Sequence, residues 1–371
     1  MNNCQNASNA LRMPAEWEPQ AFVQFTWPHA GTDWAPYLSD ITETCREMVC
    51  AVSRYEPVVI AAQEPDLVRQ LLPEKTAFPV TILPCRNDDT WARDHAFITL
   101  VPTQEADSGA LPHLLDFRFN GWGDKFPADN DNRINRQLFD QQAFRGIYEP
   151  HLDFVLEGGS IESDGEGTVF TTSQCLLAPH RNQPLQQRDI EQQLKERLHA
   201  RRIVWLDHGQ LAGDDTDGHI DTIVRLAPRH TLLYIHAHDT NDPHYDDLQA
   251  LERQLRSLDY PGKRLIALPM PRPICDEDER LPATYANFLV VNGAVIVPTY
   301  AQEDLDKEAC EAIGRAFPGR DIIPIDSRTI IRQHGSIHCM TMQYPTVAAP
   351  DWQAPCGQPA ENLQNKQPIQ Q

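Results

Sequence analysis

Residues 287–317 read NFLVVNGAVIVPTYAQEDLDKEACEAIGRAF, and the order of signals within them sets the expected architecture. The stretch 287–298 is rich in β-branched and apolar residues and is broken at Asn292-Gly293, a dipeptide suited to a tight turn between paired strands. From 303 to 317 the apolar residues recur at helical spacing instead. A strand pair followed by a helix is therefore the expected unit, and the same order returns along the chain. Helical spacing also marks 39–55, 65–72, 185–200 and 245–258, each flanked by Pro, Gly or Asp. Extended segments are expected at 57–62, 95–101, 168–177, 220–226, 231–237 and 336–343. No exact repeat is present and no composition shift marks a linker, so repeated supersecondary units in one α/β domain are expected over 13–345.

The 371 residues carry 32 Lys+Arg against 53 Asp+Glu, a net charge of −21. Phosphate binding by counterion release needs clustered basic residues, which are absent, so no nucleic-acid partner is expected. An acidic chain instead attracts cationic small molecules. The N-terminal MNNCQNASNALRMPAEWEPQ has neither a basic start nor an apolar stretch, so no secretory signal is expected. The longest apolar run, 288–297, is far shorter than the roughly 20 residues of a spanning helix, so no membrane partner is expected either. Nine cysteines without a C-x-x-C pair suit reduced thiols in a cytoplasmic protein. The Gln- and Pro-rich end from 349 to 371, with residues 1–12, is expected to be disordered. Homo-oligomerisation is left open.

Signatures for nucleotide phosphates and for a serine nucleophile elbow are missing. The informative stretches are polar and lie at strand ends: NDDTWARD (87–94), FNGWG (119–123), EGGSIE (157–162), DDTDGHID (214–221) and HGSIHC (334–339). Cys339 alone reads as a small buried hydrophobe. A cysteine nucleophile needs a base or a neighbouring positive charge, and His219, with Asp221 two residues on, supplies a general acid/base. In an extended segment those two side chains share a face. The bland alternatives are a hydrogen-bonded turn for DGHID, a structural ion pair for Arg93 and Asp94, and a solvated Glu157. Taken together, acidic clusters and one cysteine describe carboxylates that grip a planar cation while a thiolate approaches its central carbon.

These residues resemble the agmatine deiminases, grouped with the bacterial peptidyl-arginine deiminase-like proteins in the pentein, or guanidine-modifying, superfamily. The resemblance runs from Met13 to Pro345 on TWARD, FNGWG, EGGSIESDGEGT, CLLAPHRN, DDTDGHID, LPATYANFLVVNGAVIVPTY and GSIHCMTMQ. It implies a five-bladed α/β propeller whose loops meet at a central channel. It further implies Cys339 as nucleophile, His219 as general acid/base, Glu157 as its partner carboxylate, and Asp94 with Asp221 as the guanidinium holders. Trp91 and Trp122 would line the channel, Arg93 would lie beside the bound substrate, and Asp215 would meet the distal amine. Agmatine would become N-carbamoylputrescine and ammonia, in putrescine formation, without a metal or organic cofactor. The chain departs from the commoner pattern at His95-Ala96-Phe97, where many relatives carry Gly-Pro, and at His334-Gly335-Ser336, in place of a glycine-rich run. Both departures lie beside the site and bear on substrate preference, so free arginine and peptidyl-arginine stay as alternatives.

Two further readings come from other classes. His236, His238 and His244 follow a strand and could serve a metal-dependent hydrolase. A non-catalytic polyamine-binding protein would keep all the carboxylates, but has no use for a nucleophile beside a base.

Overall fold

The computed structural model describes residues 11–103 and 110–350. Most of the two termini expected to be disordered therefore lies outside the described residues. Within them, Leu11–Arg12 forms strand β1, paired antiparallel with a later strand, and the Ala349 N–H bonds back to the Thr346 carbonyl.

One connection is used five times. An antiparallel strand pair is followed by a helical crossover to a third strand, which lies parallel to the second. Parallel neighbours cannot be joined by a tight turn, so the crossover follows from strand direction. In chain order, β2 (Gln20–Thr26) passes through α1 (Leu38–Val52) to β3 (Val58–Ala62), and α2 (Pro65–Leu71) leads on to β4 (Val80–Pro84). After the one-turn helix α3 (Ala92–His95), β5 (Ile98–Pro102) pairs with both β1 and β6 (His113–Arg118). Helices α4 (Gly121–Asp124) and α5 (Asp131–Asp140) then cross to β7 (Ile147–Val155). The third unit is β8 (Ile161–Ser163), β9 (Thr168–Thr172), α6 (Ser173–Leu176), α7 (Gln187–Arg197) and β10 (Arg202–Leu206). The fourth is β11 (Val224–Ala227), β12 (Thr231–His236), α8 (Tyr245–Ser257) and β13 (Arg264–Pro269), after which β14 (Cys275–Asp276) and β15 (Glu279–Arg280) form a small hairpin. The fifth is β16 (Leu289–Val291), β17 (Ala294–Thr299), α9 (Glu303–Ala316) and β18 (Asp321–Asp326). Finally β19 (Thr341–Pro345) pairs antiparallel with β2, so the last described strand completes the first unit.

The cores are built as the periodicities require. On α1 the buried Ile41, Cys45, Met48, Val49 and Val52 make one helical stripe, while β2 and β3 are buried along their whole length between covering layers. Helix α5 escaped the sequence reading because its only aliphatic residues are Ile134 and Leu138 in a polar DNRINRQLFD segment.

Four expected strands begin or end elsewhere, each because a tight turn intervenes. His95 belongs to α3 and the strand starts at Ile98. The 168–177 segment leaves the sheet after Thr172 into α6, capped by the Thr172 hydroxyl. Residues Ile220–Thr222 form a 3-10 turn, so His219 and Asp221 are not related by strand alternation. The strand expected from 336 starts only at Thr341, which leaves Cys339 in a turn.

Candidate active site

Each of the five strands that open a unit is entered through such a turn, and the expected chemistry sits there. Asp94 is in α3 before β5, and Glu157 leads the Gly158–Ser160 turn before β8. His219 and Asp221 bracket the turn before β11, Asn287 precedes β16, and Cys339 precedes β19. The turns interlock: the Arg93 N–H donates to the Cys339 carbonyl, and the His338 N–H to the Asn287 carbonyl.

Gly159 marks where they converge. A Cβ added there would stand 2.6 Å from His219 Nδ1, 2.9 Å from Asp94 Oδ1 and 3.1 Å from Asp221 Oδ2, so only glycine lets the three side chains close up. Its N–H instead donates to Asp94 Oδ1 at 3.0 Å, and Trp122 Nε1–H donates to Asp94 Oδ2 at 3.0 Å. His219 Nδ1 lies 3.7 Å from Asp94 Oδ1. The Cys339 sulfur is 3.2 Å from Asn287 Nδ2 and 3.8 Å from Asp221 Oδ2. Asn287 Oδ1 accepts the N–H groups of His338 and Cys339 at 3.0 and 3.2 Å, which fixes the turn carrying the sulfur. Glu157 Oε1 is held by Arg181 Nε–H at 2.7 Å, both side chains being fully buried.

What is left over is as informative as what is paired. Glu157 Oε2, Asp221 Oδ1 and both ring nitrogens of His219 have no partner in the protein, although all are buried. An unpartnered buried polar atom costs about 1–3 kcal/mol. The open carboxylate oxygens of Asp221, beside the Cys339 sulfur, and of Glu157, beside His219, mark the seat of a ligand rich in N–H donors.

The charges agree. Burial, with Asp221 and Glu157 as like-charged neighbours, pushes the Asp94 carboxyl up to about 6 despite His219. Burial works to raise Asp221 too, but the His338 hydrogen bond and charge, joined by His219 and Arg225, together outweigh it and leave Asp221 below the ordinary carboxylate range. For His219 burial works downward and is overcome by Asp94, then Cys175 and Glu157, so its pKa stands well above the usual imidazole value. Burial, then Asp221 and Asp94, drives the Cys339 thiol well up, so the resting sulfur keeps its proton at neutral pH.

A cavity of about 420 Å³ leads from Cys339 and Asp94 past Trp91, Trp122 and Phe126 to a mouth at Asp33, Asp89, Asp215 and His334. Trp91 is fastened by its Nε1–H to Asp89 Oδ2 at 2.9 Å, and a Cβ on Gly335 would fall 2.1 Å from its ring. Of the residues expected at the substrate, Trp91, Asp94, Trp122 and Asp215 line this cavity with Cys339, Asp221 stands behind its end beside the Cys339 sulfur, and Arg93 is turned away. Its guanidinium reaches the Met342 sulfur at 3.3 Å and lines a different cavity, because successive side chains on a helical turn diverge. Conversely, Asn287, Arg181, Cys175 and His338 were not anticipated. They sit inside recognisable motifs, but none has a local pattern that separates it from a packing residue.

Two groups of side chains have metal-ligand chemistry among the described residues. Glu157, Cys175 and His219 bring one donor atom each within 4.8 Å of one another, as do Glu16, Glu162 and His338, and Arg225 reaches into the second group by bonding Glu16 and Glu162. The histidines considered for a metal hydrolase are in neither: His236 pairs with Glu252 at 3.1 Å, and the exposed His238 lies 4.0 Å from Glu308. The seven described cysteines are free thiols, and among the described residues no helix is long and apolar enough to cross a membrane.

Residues 12–345 match the family model of Porphyromonas-type peptidyl-arginine deiminases. The chain belongs to this family. Among curated members, agmatine deiminase of Pseudomonas aeruginosa (strain LESB58) is 33% identical, covering 91% of this chain and 96% of its own. A substrate-bound variant of C. jejuni agmatine deiminase superposes with a TM-score of 0.83 at 35% identity, over 90% of this chain and 96% of its own. A Porphyromonas gingivalis protein provisionally named an arginine deiminase gives a TM-score of 0.85 at 44% identity, over 91% of this chain and 99% of its own. The α/β fold described above is thus that of the family's solved deiminases.

Proposed function

We propose that this chain is an agmatine deiminase, hydrolysing the guanidinium of agmatine to N-carbamoylputrescine and ammonia. The observation that carries the reading is the convergence of His219, Asp94 and Asp221, with unpartnered imidazole and carboxylate atoms, beside the Cys339 sulfur, at a cavity also lined by Asp33, Asp89 and Asp215. We also infer that the five repeated units stand as blades around this point, since each contributes the turn before its opening strand.

A guanidinium offers N–H donors in a plane and keeps its charge at any physiological pH. Asp94 and Asp221 take its nitrogens, and Glu157, fixed by Arg181, takes another edge. The same cation cancels the negative field that keeps Cys339 protonated, so binding favours release of the thiol proton to solvent as agmatine enters, which leaves the thiolate facing the guanidinium. Sulfur then bonds to the central carbon, and His219, protonated beforehand by its carboxylate neighbours, gives a proton to the departing nitrogen. A thiouronium remains. Water gives a proton back to His219 as it adds to that carbon, the C–S bond breaks, and the ureido product leaves with the sulfur restored. Asn287 holds the sulfur's turn throughout.

The mouth argues for agmatine over arginine. A distal ammonium meets Asp33, Asp89 and Asp215, whereas an α-carboxylate would face the same groups with no Lys or Arg lining the cavity. Ammonia release from agmatine, arginine and an arginine-containing peptide, measured in parallel with the ureido product weighed by mass spectrometry, tests this. Agmatine is expected to give the highest kcat/KM, and preference for either other substrate would overturn the assignment.

Two more outcomes follow from the geometry. Gly159→Ala places a methyl among His219, Asp94 and Asp221, and a misplacement of this kind costs on the order of 10²-fold in kcat/KM. Wild-type turnover in that variant would mean the three groups do not act together. The second concerns pH. Asp94 must be ionised to hold a cation and titrates at about 6, so kcat/KM for agmatine is expected to fall as pH drops through 6. An acid limb that stays flat down to pH 5 would remove Asp94 from the binding set.

A further inference from the structure

Resting on the reading above, a positioning role emerges for a residue that no part of the reaction scheme has used. Asp221 is locked from behind. Its Oδ2 receives an N–H from His338 Nδ1 at 2.7 Å, while Oδ1 stays unpartnered. His338 is the chain neighbour of Cys339, yet the two residues line different cavities. Cys339 lines the substrate cavity, and His338 a second one of about 640 Å³ with Glu16, Arg93, Gly158 and Glu162.

The far side of the imidazole is held as well. Nε2 lies 2.9 Å from Glu16 Oε2 and 3.0 Å from Arg225 Nη2. A guanidinium can only donate and an ionised carboxylate can only accept, so Nε2 can satisfy one of them at a time. Bare, it accepts from Arg225; protonated, it donates to Glu16. In both states Nδ1 keeps its hydrogen and aims it at ionised Asp221. The charged groups around the ring are Asp221 and Arg225 from either side of the β11 entrance, Glu16 from the loop before β2, Glu162 from β8 and Arg93 from α3. A donor anchored this way supplies Asp221 with a hydrogen bond regardless of its own charge.

We propose that His338 is a positioning residue for the reaction: its Nδ1–H keeps Asp221 ionised and turned so that one oxygen guards the Cys339 sulfur and the other is free for the guanidinium. Without this donor only the charges of His219 and Arg225 work against the burial of Asp221, so its carboxyl rises and the cation loses part of one of its holders.

The sign of the test follows. A carboxyl that is harder to ionise needs a higher pH to become active, so the acid limb of kcat/KM moves upward. His338→Met and His338→Leu keep the volume without a donor. Each is expected to lower kcat/KM for agmatine on the order of 10²-fold. Each is also expected to move the acid limb up by about one pH unit and steepen it, since two carboxyls now titrate there. His338→Asn places an amide N–H near the position of Nδ1 and is expected to restore the wild-type limb. Loss of rate in the Met and Leu variants with an unmoved limb would show a packing role only. A displaced limb in the Asn variant would overturn the proposal by itself, even if neither apolar variant folds. A wild-type protein that releases no ammonia from agmatine would defeat the functional reading first, whereas an active wild type with unshifted variants would defeat this inference alone.

Discussion

Cys339→Ser is expected to abolish ammonia release from agmatine, by at least about 10⁴-fold, while leaving agmatine binding measurable. A loss of that size corresponds to about 5.5 kcal/mol of transition-state stabilisation, more than any packing change at a turn residue would produce. The hydroxyl retains the polar surroundings of the sulfur, namely Asn287 Nδ2 and Asp221, and it keeps the backbone bonds to Asn287 Oδ1. Its far higher intrinsic pKa, in a site already lined by carboxylates, removes the nucleophile. Calorimetric titration of the variant with agmatine, beside a turnover assay, separates the two consequences. Retained turnover would eliminate covalent catalysis, and a variant that neither binds nor turns over would point to collapse of the turn. A polyamine-binding protein would show wild-type binding and no turnover in either form.

Arg225→Met is expected to cost about 3–5 kcal/mol of stability, the penalty for removing one partner of a buried ion cluster. Arg225 is fully buried on β11, bonds Glu16 and Glu162, reaches the carbonyls of Ala286 and Phe288, and lies 4.5 Å from the Phe288 ring centroid. It thus ties the loop before β2, strand β8 and the turn before β16 to one cation. Methionine fills much of the volume but leaves two carboxylates buried without their guanidinium. The pH dependence distinguishes this cause from a simple cavity. In the wild type Arg225 and His338 overcome burial and hold Glu16 far below its ordinary range, so this contribution is present above the unfolded pKa and is lost as pH falls. In the variant the carboxyls titrate upward, and protonation relieves the penalty. The stability gap between the two proteins, from denaturant midpoints, should be widest near pH 7 and shrink toward pH 4. A gap that is constant across that range would assign the loss to packing instead.

Legibility in the sequence was uneven for physical reasons. Segment 287–317 showed its strand pair and helix because an Asn-Gly turn and a change from strand to helical period are local features. Helix α5 did not, since its burial rests on two aliphatic residues among polar ones. Strand limits failed at His95, Ile220 and Ser336 for a shared cause. At these places short turns interrupt residues of strand-like composition, and the turns carry Asp94, Asp221 and Cys339.

Residue types by themselves determined the chemistry available: a cysteine, an imidazole and several carboxylates in Gly-rich motifs, in a chain of strongly negative charge. Those identities are local and survive in any conformation. Only the tertiary structure decided which groups meet. It brought together side chains from 94 to 339, turned Arg93 away from its neighbour Asp94, and recruited Arg181, Asn287 and His338, which no local pattern separates from packing residues. Hydrogen bonds act over about 3 Å and burial depends on every surrounding layer, so partners distant in sequence become chemically defined only once folding brings them into contact.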